Sequence, residues 1–166
     1  MNKKFLLFYV VTEIHIRNFN ILIKNLKDYK IYFIYEKSLN LIKQEFINQQ
    51  NEEFILSIDF NDFIKKNVSN IECLFLATTQ PRNFPIQLIF SSLINNYKTI
   101  AFQETNHFFL HQGKIHNYLL PTDFNFVLSN YELQCFIKNN YAKHKIINSG
   151  LFYYLNYQNK NFKKIY

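Results

Sequence analysis

An acid and an imidazole two residues apart, Glu13 and His15, follow the first apolar run of this chain, Phe5 to Val11. The turn after a first strand is where α/β proteins gather functional side chains, so the pair could supply general acid–base chemistry. No glycine supports it. There is none before Gly113, so neither a dinucleotide fingerprint nor a P-loop can form in the first βα turn. Otherwise His15 is a packed or partner-facing residue. A second group, Glu104, His107 and His111, has the spacing E-x-x-H-x-x-x-H, with His116 beyond it. On a helix this could present three metal ligands. Zinc sites more often use Cys or tighter His motifs, and Gly113 interrupts any long helix here. These histidines read better as loop residues able to hydrogen-bond phosphate or ribose. Cys73 and Cys135, the only cysteines, each sit in an apolar run and read as buried thiols. No serine or cysteine stands in an elbow-type glycine context. No catalytic residue, metal, cofactor or small-molecule substrate is expected.

The elements that would position these residues alternate. Strands are predicted at Phe5–Val11, Lys30–Tyr35, Phe54–Ile58, Ile71–Ala77, Thr99–Phe102 and Phe124–Leu128, with a last one at Lys145–Asn148. The apolar run of the first is continuous, as in a strand buried on both faces. Helices are predicted at Ile14–Leu26, at Ser38–Ile47 with Ser38 as its cap, and at Asn61–Asn67, Ile86–Asn95 and Tyr131–Asn139. Pro85 suits a first helical turn. Regular alternation predicts a Rossmann-like (flavodoxin-like) three-layer α/β fold, with a mostly parallel sheet and helices on both faces. It would span 1–150, followed by a basic aromatic tail at 151–166. In such folds ligands gather outside the carboxyl ends of the strands. Thr99–Phe102 runs into Gln103-Glu104-Thr105-Asn106, and the next apolar run ends at Pro121-Thr122-Asp123. Two strands that each end in a polar cluster would make one docking edge.

The chain has 166 residues, 48% hydrophobic and 19% charged, which argues against disorder. Its net charge is +7, and six of those charges come from the acid-free stretch after Ile137, in Lys138, Lys143, Lys145, Lys160, Lys163 and Lys164. A basic balance favours nucleic acid or another anionic surface as partner. Abundant Asn, Ile and Lys, with two arginines and two glycines, fit a very AT-rich genome. No uninterrupted apolar stretch is long enough to span a bilayer, and no membrane partner is expected. Lys3-Lys4 before Phe5–Val11 lacks a following small-residue cleavage site, so a first core strand is the better reading.

Two family resemblances bear on function. Ile31-Tyr32-Phe33-Ile34-Tyr35-Glu36-Lys37-Ser38-Leu39 resembles the Ile-His-Ile-Ile-x-Leu-Glu-Lys-Thr segment of the second small-subunit ribosomal protein (the S-two family), of bacterial and organellar type. Phe102-Gln103-Glu104-Thr105-Asn106 and Tyr118-Leu119-Leu120-Pro121-Thr122-Asp123 are similar, in the same order, to its Val-Asp-Thr-Asn and Tyr-x-Ile-Pro-Gly-Asn-Asp. Leu74–Leu93 resembles its preceding strand and helix. His15 is similar to the first histidine of its entry motif, without the glycines. The family's Arg-Trp-Leu-Gly-Gly segment and helical hairpin have no counterpart. This resemblance, over roughly residues 10–140, implies a non-catalytic, reduced constituent of a small ribosomal subunit. Its partners would be small-subunit rRNA and neighbouring ribosomal proteins, in the mitochondrial matrix or the cytoplasm of an AT-rich bacterium. Its RNA contacts would come from Arg17, Asn18, Lys37, Arg82, Asn106, His107, Lys163 and Lys164.

The alternating βα units, the Gln103–Asn106 strand end, Ser129-Asn130 before a helix and the closing Gly150 also resemble the acceptor-side domain of a two-domain (GT-B type) glycosyltransferase. In that family the nucleotide-sugar site lies mainly on the second domain, which here would come from another chain.

Overall fold

The computed structural model describes residues 3–36, 52–56, 59–76, 83–102, 110–111, 114–115 and 120–149. The expected helix at Ser38–Ile47 and the tail 151–166 lie outside these residues. In chain order the elements are β1 (Lys4–Val10), α1 (Glu13–Ile23), β2 (Tyr29–Tyr35), β3 (Glu52–Leu56), α2 (Phe60–Asn67), β4 (Ile71–Leu76), α3 (Asn83–Asn95) and β5 (Lys98–Phe102). A two-residue hairpin, β6 (Leu110–His111) and β7 (Lys114–Ile115), precedes β8 (Phe124–Val127), α4 (Asn130–Lys138) and β9 (Ile146–Asn148).

Seven strands form one sheet in the order β3-β2-β1-β4-β5-β8-β9, and every neighbouring pair is parallel. This is the expected Rossmann-like α/β architecture, in fully parallel form. Strand order reverses between β1 and β4, which makes that boundary the topological switch point.

The pleat of period two explains why the central strands are continuously apolar. In β1, Leu7 and Tyr9 point into one core while Leu6, Phe8 and Val10 point into the other. In β2, Tyr32 and Ile34 join the first core, and Ile31, Phe33 and Tyr35 the second. α2 (Phe60, Ile64) and α3 (Leu88, Ile89) cover the first face. α1 (Ile16, Phe19) covers the second. On β8, Phe126 stacks with Phe102 on the α1 side, so Val127 faces the other way and packs under Phe136 of α4.

The second face carries a phenylalanine ladder across five adjacent strands. Phe33, Phe8 and Phe75 are register neighbours on β2, β1 and β4, with ring centroids 5.8 Å and 4.6 Å apart. Phe102 of β5 lies 6.2 Å from Phe75 and 4.8 Å from its partner Phe126. Phe19 of α1 closes over Phe8 and Phe102, at 4.9 Å and 5.6 Å. Offset aromatic pairs of this kind add to simple area burial.

The helices end in a chain that has only two glycines. Asn96 after α3 and Asn140 after α4 take the left-handed backbone, with φ 58° and 65°. Asn is the residue that best replaces Gly there.

Phe8 is fully buried at the centre of the ladder. Phe8→Ala is expected to lower unfolding free energy in urea by about 3–5 kcal/mol, and Phe8→Leu by much less. A loss below about 1 kcal/mol for the alanine variant would show that the ladder does not hold the sheet.

Candidate functional site

Two rims of the sheet could meet a partner. At the carboxyl rim, the switch-point turn runs from Val10 through Val11 and Thr12 into α1. In phosphate-binding members of this architecture, the free backbone N–H groups of that turn hold the anion. Here His15 Nδ1 accepts the N–H of Val11 at 2.9 Å and that of Thr12 at 3.3 Å. The ring is 5% exposed. A nitrogen that accepts carries no proton, so the imidazole is neutral with its hydrogen on Nε2. The chain's own side chain thus fills the place of an anion. Beside it, the Tyr9 hydroxyl donates to Glu36 Oε1 at 2.5 Å, tying the exits of β1 and β2 together. His15 is therefore packed as a helix cap, and its Nδ1 is not turned to solvent as a general base. The sequence signal was present: Thr12-x-x-His15 has capping-box spacing, with His in place of Glu or Gln.

Further along the same rim, β8 and β9 end in polar groups that touch. Asn148 Nδ2 donates to Asn130 Oδ1 at 2.8 Å, and both side chains are exposed. Ser149 N–H donates to the Val127 carbonyl at 2.9 Å, extending the β8–β9 pairing. Ser129 caps α4 by accepting the Glu132 N–H at 3.2 Å, while the buried Glu132 carboxylate accepts the Leu128 N–H at 3.0 Å. Two carboxamides and two hydroxyls thus follow adjacent strands, with donors and acceptors mixed.

Pro121–Asp123 stands before the amino end of β8, whose Phe124 pairs with Ile100 of β5. Gln103–Asn106, expected to share an edge with it, lies outside the described residues. Asp123 Oδ2 accepts the Thr99 N–H at 2.9 Å and the Thr99 hydroxyl at 3.0 Å, and Lys98 Nζ lies 3.6 Å from its other oxygen. Asp123 clips two strand starts together. Burial alone would raise its carboxyl pKa, but the Thr99 backbone N–H, the Thr99 hydroxyl and Lys98 outweigh burial and hold it below the usual carboxylate range.

A hollow of about 320 Å³ opens near this clip, lined by Leu120, Thr122, Asn125, Tyr141, Lys145 and Ile146 among others. Asn125 Nδ2 donates to the Leu120 carbonyl at 3.2 Å, and its Oδ1 is enclosed and not offered to a ligand.

Of the expected contact residues, Asn18 is half-buried on α1, and Arg17 lies on the same helix with its side chain outside the described residues. Lys37, Arg82, Asn106, His107, Lys163 and Lys164 lie outside them as well. His111 sits in the β6–β7 hairpin opposite Lys114, not on a helix that could align it with Glu104 and His107. Among the described residues no trio of His, Cys, Asp or Glu could hold a metal. Burial first of all pushes the Cys73 thiol up to about 12, so it is no nucleophile.

A charge pattern escaped the sequence reading. All eleven lysines with described side chains lie at the amino rim: Lys3, Lys4, Lys24, Lys27, Lys30, Lys65, Lys66, Lys98, Lys138, Lys143 and Lys145. Among the described side chains the carboxylates at that rim are Asp28, Glu53, Glu72 and Asp123, and Lys65 pairs with Asp62 of its own helix at 3.5 Å. Glu53 is held by Lys30 at 2.7 Å, and Asp123 by Thr99 and Lys98. The signal lay in position along the chain: these lysines close helices or open strands.

No protein-family model matches the chain, and no curated protein matches it in sequence.

Two variants check these assignments. His15→Ala leaves two backbone N–H groups without their acceptor and is expected to cost about 1–3 kcal/mol, while His15→Gln, which can accept, retains most of the stability. Equal urea midpoints for the alanine variant and the parent would reject the capping role. Because its folded pKa is lowered, Asp123 contributes stability above the ordinary carboxylate pKa of about 4, and this is lost as pH falls through the folded value. Asp123→Asn should flatten the fall in melting temperature over that acid window; an unchanged profile would show that the clip is not electrostatic.

Proposed function

We propose that the chain is the acceptor-side half of a two-domain (GT-B type) glycosyltransferase, a carbohydrate-binding unit whose donor site is on another domain. The single observation that carries this reading is the sharing of one rim. Ser129-Asn130, which resembles that family's segment before a helix, follows β8, and Asn130 pairs with Asn148 at the end of the adjacent parallel strand β9; Gln103 and Gly150 lie outside the described residues.

The chemistry at the rim suits a sugar. A hydroxyl both donates and accepts, and the Asn130 and Asn148 carboxamides and the Ser129 and Ser149 hydroxyls do the same. The His15-filled turn argues against a phosphate of this half's own, which agrees with a donor held elsewhere. These residues would bind and orient an acceptor hydroxyl; no described residue is assigned to bond making.

A second reading, a structural protein of a small ribosomal subunit in a mitochondrion or an AT-rich bacterium, is favoured by the lysine-rich amino rim. RNA phosphates would be the counter-charge.

Two measurements separate the readings. Saturation-transfer NMR of the purified protein against a panel of neutral oligosaccharides should reveal a binder, and Asn130→Ala with Asn148→Ala should weaken it by about tenfold or more. Sucrose-gradient fractionation of native extracts should then leave the protein outside the small-subunit peak. Co-migration with small subunits, together with no saccharide binding, would reject the carbohydrate reading and favour the ribosomal one.

A further inference from the structure

We propose that the amino rim of the sheet is a peripheral docking surface for an anionic lipid bilayer. This goes beyond the carbohydrate reading and does not rest on it. The first observation is that, among the described side chains, eleven lysines meet four carboxylates at this rim, with Asp62 paired to one of the lysines, Lys65. Part of that has a simple cause, since cations stabilise helix C-termini, as Lys24, Lys65, Lys66 and Lys138 do. That cause does not cover Lys3 and Lys4 at the start of β1 or Lys98 opening β5, while Lys143 and Lys145 sit in a short 3-10 turn just before β9.

The second observation is apolar. Between Arg82 and Lys98 the chain has no charged residue. α3 buries Leu88, Ile89 and Ser92 inward, yet its outer side carries Phe90, Leu93 and Ile94 at 59%, 70% and 82% exposure. These stand at i, i+3 and i+4, so they form one patch. A helix apolar on both sides is normally covered. Leu93 and Ile94 occupy its last turn, which ends at the lysine rim; Phe124 at the start of β8 is exposed on the other, α1 side of the sheet.

The combination selects the partner. Nucleic acid would neutralise the lysines but leave Leu93 and Ile94 in water, because bases stack on planar rings and not on aliphatic chains. A bilayer takes both: lysines sit at the anionic headgroups and aliphatic tips enter the boundary below them. No described helix is long and apolar enough to cross a membrane, so the contact is a surface one.

The full chain is floated with vesicles of phosphatidylcholine alone, or of equal parts phosphatidylcholine and phosphatidylglycerol. Binding is expected only to the anionic vesicles and should fall as salt rises. Leu93→Ser with Ile94→Ser should lower the partition by about tenfold or more. Lys143→Glu with Lys145→Glu should lower it by a similar factor. All four sites are exposed, and circular dichroism melts of each variant are to check that it folds before its binding is read. Equal binding to neutral vesicles overturns the proposal, as does anionic binding that ignores the Leu93/Ile94 change. So does binding to a structured RNA without binding to anionic vesicles, which would instead support the ribosomal reading.

Discussion

Burial of the central strands on both faces is the constraint from which the rest follows. Once β1, β2 and β4 are covered above and below, their side chains belong to packing, and polar chemistry is confined to the places where strands begin and end. The phenylalanine ladder makes this concrete. Phe33, Phe8, Phe75, Phe102 and Phe126 occupy one face across five strands, and Phe19 seals the centre. A sheet held this way has its central positions filled by side chains. It also fixes strand register, and register decides which loop residues share a rim.

The two rims that result differ in character. The described carboxyl rim offers neutral carboxamides and hydroxyls, and the backbone N–H groups of the turn after β1 are taken by His15. The amino rim gathers the lysines, beside the apolar end of α3. In a fully parallel sheet every helix runs back antiparallel to the strands, so helix C-termini, and the cations that suit them, collect on one side. Polarity of charge across the molecule is thus partly a product of topology. The excess at strand starts is not, and it is there that a surface contact is argued.

Much of the fold was legible, because strands buried on two faces read as unbroken apolar runs and helices as 3.6-residue stripes. Each of the seven expected strands is present, and parallel pairing followed from the alternation. The site was less so. Pro121-Thr122-Asp123 can close one strand or open the next, and composition does not distinguish the two; only the β5–β8 register does. His15 was visible as a chemical group, but its partners are backbone amides, which a sequence does not display. The lysine rim needed the order of elements, since no two of its clusters are close in the chain. Six of the eight expected contact residues lie outside the described segments.

Asn96 and Asn140 bear on the unfolded chain as much as on the folded one. Glycine at those left-handed positions would relieve the folded backbone but give the unfolded chain more conformations to lose. With Asn there, each of these two turns leaves the unfolded chain fewer backbone conformations to lose than glycine would, so the helix ends are set partly by what the unfolded chain gives up.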